Sequence, residues 1–197
     1  MNSNTYFCSD LHFRHHNVLK FDKERWNRFD TIEKHNDYIA NNLLCLSKHD
    51  TLYFLWDLVW KMDDTTKQWM HNLLSKVKCE LHWIKGNHDY KQIVNEYWQY
   101  FKTIRDYAEE KYEWRKFILS HFPLLSWNGM NRENSSIHLH GHTHEHCFYT
   151  DWTRYNIAYN WHNLLRHIDW FIDWSHKFIE KSISEITLSS NNKNEHS

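Results

Sequence analysis

A chain of 197 residues, 41% hydrophobic and 25% charged, has the size and make-up of one globular domain with a sizeable core. Its formal net charge of -1 gives no strong overall field toward long nucleic acid or an anionic membrane. No segment approaches the roughly 18 consecutive apolar residues of a membrane span, and Met1 to Thr5 lacks the basic and apolar regions of a signal peptide, so a cytoplasmic protein is expected.

In chain order, the first apolar run is Thr5 to Ser9, read as a strand. Ile32 to Leu46 follows as a helix, with Ile32, Ile39, Leu43 and Leu46 at roughly helical spacing. Thr51 to Trp56 reads as the second strand, Asp64 to Val77 as a helix, Leu81 to Lys85 as the third strand and Lys91 to Phe101 as a helix. Lys116 to Ser120 and Ile137 to Leu139 complete the apolar runs, and Arg154 to Trp161 is a further candidate strand. His162 to Glu180 reads as a helix anchored by Trp170, Ile172 and Trp174. Alternating strands and helices predict an α/β (α+β) layered fold, one domain over 1–187, with a polar tail over 188–197 expected to be disordered. Cys8, Cys45, Cys79 and Cys147 are widely spaced with no CxxC pair, so free thiols are expected. Glycine occurs only 3 times and proline once, whereas tryptophan occurs 12 times. The tryptophan excess is read as mostly core.

Each of the five apolar runs ends on polar residues able to bind metal. Ser9 leads to Asp10 and His12, Trp56 to Asp57, and Lys85 to Gly86, Asn87, His88 and Asp89. Ser120 leads to His121, and Leu139 to His140, Gly141, His142, Thr143 and His144. Functional groups of α/β sheets gather at the carboxyl ends of strands, so these residues are expected to converge on one pocket. Imidazole and carboxylate donors suit borderline divalent metals. Two such ions about 3.5–4 Å apart can activate water and neutralise charge in a displacement at phosphorus.

Ser9-Asp10-Leu11-His12-Phe13-Arg14-His15-His16-Asn17-Val18, Asp57-Leu58, Gly86-Asn87-His88-Asp89, Ser120-His121-Phe122-Pro123-Leu124 and Gly141-His142-Thr143-His144 occur in the order of five known motifs. In this the chain resembles the calcineurin-like metallophosphoesterase family, small single-domain bacterial and phage members above all, from about Thr5 to Trp161. The resemblance implies a β-sandwich flanked by helices, with the metal site at the strand ends. It implies two divalent ions, Mn first with Fe, Zn or Ni as alternatives. Asp10, His12 and His144 would hold one ion, Asn87, His121 and His142 the other, and Asp57 would bridge them. His88 would act at the leaving-group oxygen, with Asp89 orienting it. The implied activity is hydrolysis of a phosphomonoester or phosphodiester by a hydroxide activated between two metals, on a small phosphoester or nucleotide substrate. Arg14, His15, Asn17 and Arg25 are candidate substrate contacts.

The chain departs from the pattern in carrying Trp56 before Asp57 and Arg14 after Phe13, where the family has glycine. It also carries Ala158 and Asn160 in place of Gly and Asp in a later segment. Two alternatives follow: a catalytically weakened metal- or nucleotide-binding member of the same fold, or a nuclease, which the near-neutral charge does not favour. The remaining histidines, such as His35, His71 and His167, are read as surface or core-edge residues, and His140 as a packing or solvent-facing neighbour of the last motif.

Overall fold

A computed structural model of the protein describes residues 1–2, 4–55, 57–131, 136–144, 153–158 and 164–173. In chain order it contains β1 (Thr5–Cys8), α1 (Val18–Phe21), α2 (Lys23–Arg28), α3 (Ile32–Leu44), β2 (Thr51–Phe54), α4 (Asp64–Leu74), β3 (Glu80–Ile84) and α5 (Lys91–Tyr97). After a 3-10 turn at Trp98–Tyr100 come β4 (Thr103–Arg105), β5 (Tyr107–Tyr112), β6 (Arg115–Ser120), β7 (Ile137–His140), β8 (Arg154–Asn156) and β9 (Arg166–His167). The fold is mixed α/β with two mixed sheets. One runs β4-β3-β2-β1-β9, parallel except for β9; the other runs β5-β6-β7-β8, parallel except for β5.

Strand side chains alternate between faces, and the first sheet buries both. Phe7, Tyr53, Leu55 and Ile84 share a core with Phe117, Leu119 and Leu139 of the second sheet, and the rings of Phe7 and Phe117 stack at 6.0 Å. The opposite face presents Cys8, Leu52, Phe54, Leu81 and Trp83 to Ile32, Ile39 and Leu43 of α3 and Met70, Leu73 and Leu74 of α4. Each of these two helices starts on a side-chain cap: Thr31 accepts from the Lys34 amide at 3.3 Å and Asp63 from the Thr66 amide at 2.8 Å. The sheets also touch at the rim, where Ser9 bridges Ala158 in parallel.

Several expectations need correction. Arg166 and His167 lie in a segment expected to be helical, but they pair antiparallel with Tyr6 and Phe7. The free edge of β1 otherwise leaves backbone groups unpaired, and helix begins only at 168. The strand expected over Arg154 to Trp161 is regular only to Asn156, and 159–163 fall outside the described residues. The tail at 188–197, Trp56, Asn160 and Trp174 also lie outside them. Among the described residues tryptophan is not mostly core: Trp83 is fully buried, whereas Trp26, Trp60, Trp98, Trp114 and Trp170 are exposed. Cys8, Cys45 and Cys79 are free thiols. Among the described residues no helix is long and apolar enough to cross a membrane.

Candidate metal centre

Two strand ends build the floor of the site. Beyond β1 and β2 the chains continue side by side: the His12 amide donates to the Asp57 carbonyl at 2.8 Å and the Phe13 amide to the Leu58 carbonyl at 3.0 Å. Leu11 and Phe13 turn into the core, fully buried, so Asp10 and His12 turn the other way. The backbone does not remain extended in doing so. Asp10 (φ 54°), His12 (49°), Arg14 (59°) and Asp57 (54°) all occupy the left-handed region, as do His142 (69°) and His144 (47°) at the end of β7. Each non-glycine residue there costs on the order of 1–2 kcal/mol. Strain of this kind persists where the surroundings over-determine it, and it clusters at functional sites.

The expected ligands fall into two groups that meet at Asp10, with Asp57 beside it. Single donor atoms of Asp10, His12 and His144 lie within 4.8 Å of one another, and the same holds for Asp10, Asp57 and His121. His12 Nε2 faces His144 Nε2 at 3.2 Å and Asp57 Oδ2 at 3.7 Å, and His144 Nε2 is 3.6 Å from Asp10 Oδ1. Two imidazole nitrogens each about 2.1 Å from a shared ion stand roughly 3.0–3.4 Å apart, for octahedral to tetrahedral angles, so this spacing fits a metal. In the second group Asn87 Oδ1 lies 2.8 Å from His121 Nε2 and 3.1 Å from His142 Nδ1. His121 sets its other nitrogen 3.3 Å from the Leu55 carbonyl, the outer contact that fixes a ligating imidazole. Asp10 and His121 are deeply buried, whereas Asn87 and His142 are exposed, so the second group opens to solvent.

The electrostatics are compatible with a cation. Asp10 and Asp57 are almost fully buried, and burial, then the neighbouring Asp10, pushes Asp57 up to about 8. Burial holds His12 well below the ordinary histidine range, lowers His144 and brings His121 to about 4. Neutral imidazoles beside two carboxylates offer lone pairs and negative charge to a divalent ion.

Neighbouring residues hold this set in place. Ser9 Oγ contacts both Asp10 Oδ2 and the Leu55 carbonyl. The His142 amide donates to the Asp10 carboxylate at 3.2 Å. Gly141 is required for close approach and not for a special φ: a side chain there would run into Ser9 Oγ and Asp10 Oδ2. The Ser-Asp and Gly-His pairs were visible in the sequence, but their mutual contact was not.

The other candidates separate. His88 is half-buried, its amide 3.4 Å from Asp57 Oδ1 and its ring 6.1 Å from that of His12. Burial, then His142, lowers its pKa. Asp89 does not orient His88: its Oδ2 accepts from Trp83 Nε1 at 2.8 Å and its Oδ1 is buried without a hydrogen-bond partner. Burial, then Asp57, pushes Asp89 up to about 10. Arg25 is no substrate contact, because it is fully buried. Its guanidinium donates to the carbonyls of Asp10 (2.6 Å) and Leu11 (3.2 Å) and to Asp22 Oδ2 (2.7 Å). His35, read as a surface or core-edge residue, is fully buried beside it at 3.2 Å. Arg14 also turns away, donating from Nε to Thr66 Oγ1 at 3.1 Å. It holds a left-handed position without crowding the centre. Asn17 is exposed and precedes α1 without capping it. His15 alone of the four lines the cavity, about 250 Å³, that opens beside His12, His88 and His144.

The chain is thus a mixed α/β protein whose strand ends hold a cluster of Asp, His and Asn donors. It belongs to the family of the uncharacterized protein MJ1445 from Methanocaldococcus jannaschii, with 31% identity over 139 residues, 70% of this chain and 68% of that protein. It is 28% identical over 168 residues to the gene 66 protein of Mycobacterium phage L5, covering 72% of this chain and 78% of that protein. The crystal structure of AQ665, a protein of unknown function from Aquifex aeolicus, matches with a TM-score of 0.58 at 25% identity, over 80% of this chain and 90% of that one. No family model matches the chain.

Proposed function

We propose that the protein is a dinuclear metal-dependent phosphoester hydrolase of the calcineurin-like type, as the motif order suggests. The observation that carries this reading is the pair of donor groups that overlap at Asp10, with Asp57 close to His12 of one and to His121 of the other. Asp10, His12 and His144 would hold one divalent ion and Asn87, His121 and His142 the other, with Asp57 reaching both. When bound, such ions supply Lewis-acid activation of water and neutralise charge at phosphorus.

The chain's own groups then have separate tasks. Asp10 and Asp57 fix the charge and position of the centre. His88 stands at the cavity beside it and is neutral near neutral pH, so it presents one N–H to the leaving oxygen. The negative charge of a bound phosphoester raises its proton affinity, so the ring takes up a second proton from solvent and the imidazolium N–H then passes its proton to the leaving oxygen.

The test is hydrolysis of bis(p-nitrophenyl) phosphate and p-nitrophenyl phosphate, with metal content measured on the same preparation. Turnover is expected with Mn²⁺, with Asp57→Asn losing both bound metal and activity. Two bound ions without turnover in Mn²⁺, Fe²⁺, Zn²⁺ or Ni²⁺ would instead make the chain a metal-binding protein.

A further inference from the structure

The cavity beside His88 is walled by rings that packing does not explain. Trp60 leaves 45% of its surface exposed and Phe21 79%, although burying such side chains is what ordinarily stabilises a fold. Trp60 is nonetheless fixed in orientation. It stacks on His15, with centroids 4.0 Å apart and planes 3° from parallel, and it leans on His88 at 4.6 Å. Phe21 stands 6.4 Å from the same His15 ring, and Val18 adds an apolar floor. The result is a preformed concave pocket, apolar on one side and edged by His12, His88 and His144 on the other.

From this we infer that the cavity binds a flat aromatic ring, namely the substituent that departs with the ester oxygen. The inference rests on the hydrolase reading, which puts the reacting phosphorus at the donor cluster. His88 belongs both to that cluster's edge and to the cavity wall, so the group entering the cavity is the one leaving past His88. Substrates are then nucleoside or aryl phosphoesters in preference to aliphatic ones, with Trp60 and Phe21 as specificity-determining residues. The shared chemistry is a ring face offered to Trp60, which every nucleobase and aryl group can supply.

Phosphonates test this without turnover, because their P–C bond is not hydrolysed. Dissociation constants of phenylphosphonate, adenosine 5′-phosphonate and propylphosphonate are measured by calorimetry on the Mn²⁺-loaded and the metal-free protein. At least one aromatic ligand is expected to bind about five- to fifty-fold more tightly than propylphosphonate. The two aromatic arms tell a nucleobase from a simple aryl group. Trp60→Ala should remove that preference while propylphosphonate stays within about twofold, Trp60→Phe should keep most of it, and Phe21→Ala should lower it about threefold. Equal Mn²⁺-dependent binding of all three ligands overturns the inference alone, as does equal weakening of all three in Trp60→Ala. Absence of Mn²⁺-dependent binding by any of them overturns the hydrolase reading and this inference with it.

Discussion

His88 and its neighbour Asp89 occupy one turn but serve different ends. Asp89 is buried on Trp83, whereas His88 faces the cavity and contributes only its backbone amide to Asp57. Removing the His88 ring therefore leaves the donor set intact. His88→Ala is expected to retain both metals by elemental analysis while turnover falls about 10²- to 10⁴-fold, the usual range for a positioned proton donor. Loss of metal from that variant would show that the ring is a ligand. The sequence displayed the donors themselves, since each follows an apolar run, but it concealed the backbone that aims them. Asp and His enter the left-handed region more readily than most residues, but that weak preference does not single out Asp10, His12 and His144 among the chain's many Asp and His residues.

At the scale of elements, the strands under the site were legible because they are buried on both faces and so read as continuous apolar runs. β5 was not: Tyr107–Tyr112 alternates between exposed and covered positions and carries too little apolar character to stand out. β9 is two residues long and exists only as a partner to β1, so local pattern could not reveal it. The same limit hid the role of α2. Its Arg25 reaches the segment just beyond β1 through the carbonyls of Asp10 and Leu11, a contact between segments that sequence periodicity does not record. Arg25 is thus a positioning residue that holds the Asp10 backbone in its turned conformation. Arg25→Lys keeps the charge but lacks the planar fork that spans two carbonyls and Asp22 at once. Urea unfolding should show a loss of about 2–4 kcal/mol, and divalent metal affinity should fall about 10- to 100-fold. Unchanged metal affinity in a destabilised protein would leave Arg25 with a folding role alone.

For the whole molecule, the buried titratable groups oppose one another. Asp57 and Asp89 are pushed up by burial to about 8 and about 10, from about 3.9 in an unfolded chain. The folded protein therefore holds their protons more tightly, and the stability they contribute is lost as pH rises through those values. Burial lowers His15, His121 and His138 to about 4 and His35 to about 3, from about 6.5 unfolded. Their contribution is present above 6.5 and is lost as pH falls toward 4. The histidines outnumber the carboxyls, so metal-free stability should rise from pH 4 to about 6.5. Above that only the two carboxyls act, and it should decline toward pH 8 and beyond, each contributing a slope of at most about 1.4 kcal/mol per pH unit. On the proposed metal reading a divalent ion would take the place of the Asp57 proton, so metal binding would release protons and strengthen with pH. Urea midpoints at pH 5, 6.5 and 8.5, in chelator and in Mn²⁺, are expected to show a maximum near pH 6.5 without metal and a flatter alkaline limb with it. A metal-free midpoint that keeps rising to pH 8.5 would mean that Asp57 is ionised in the fold and balanced by a charge other than a metal ion.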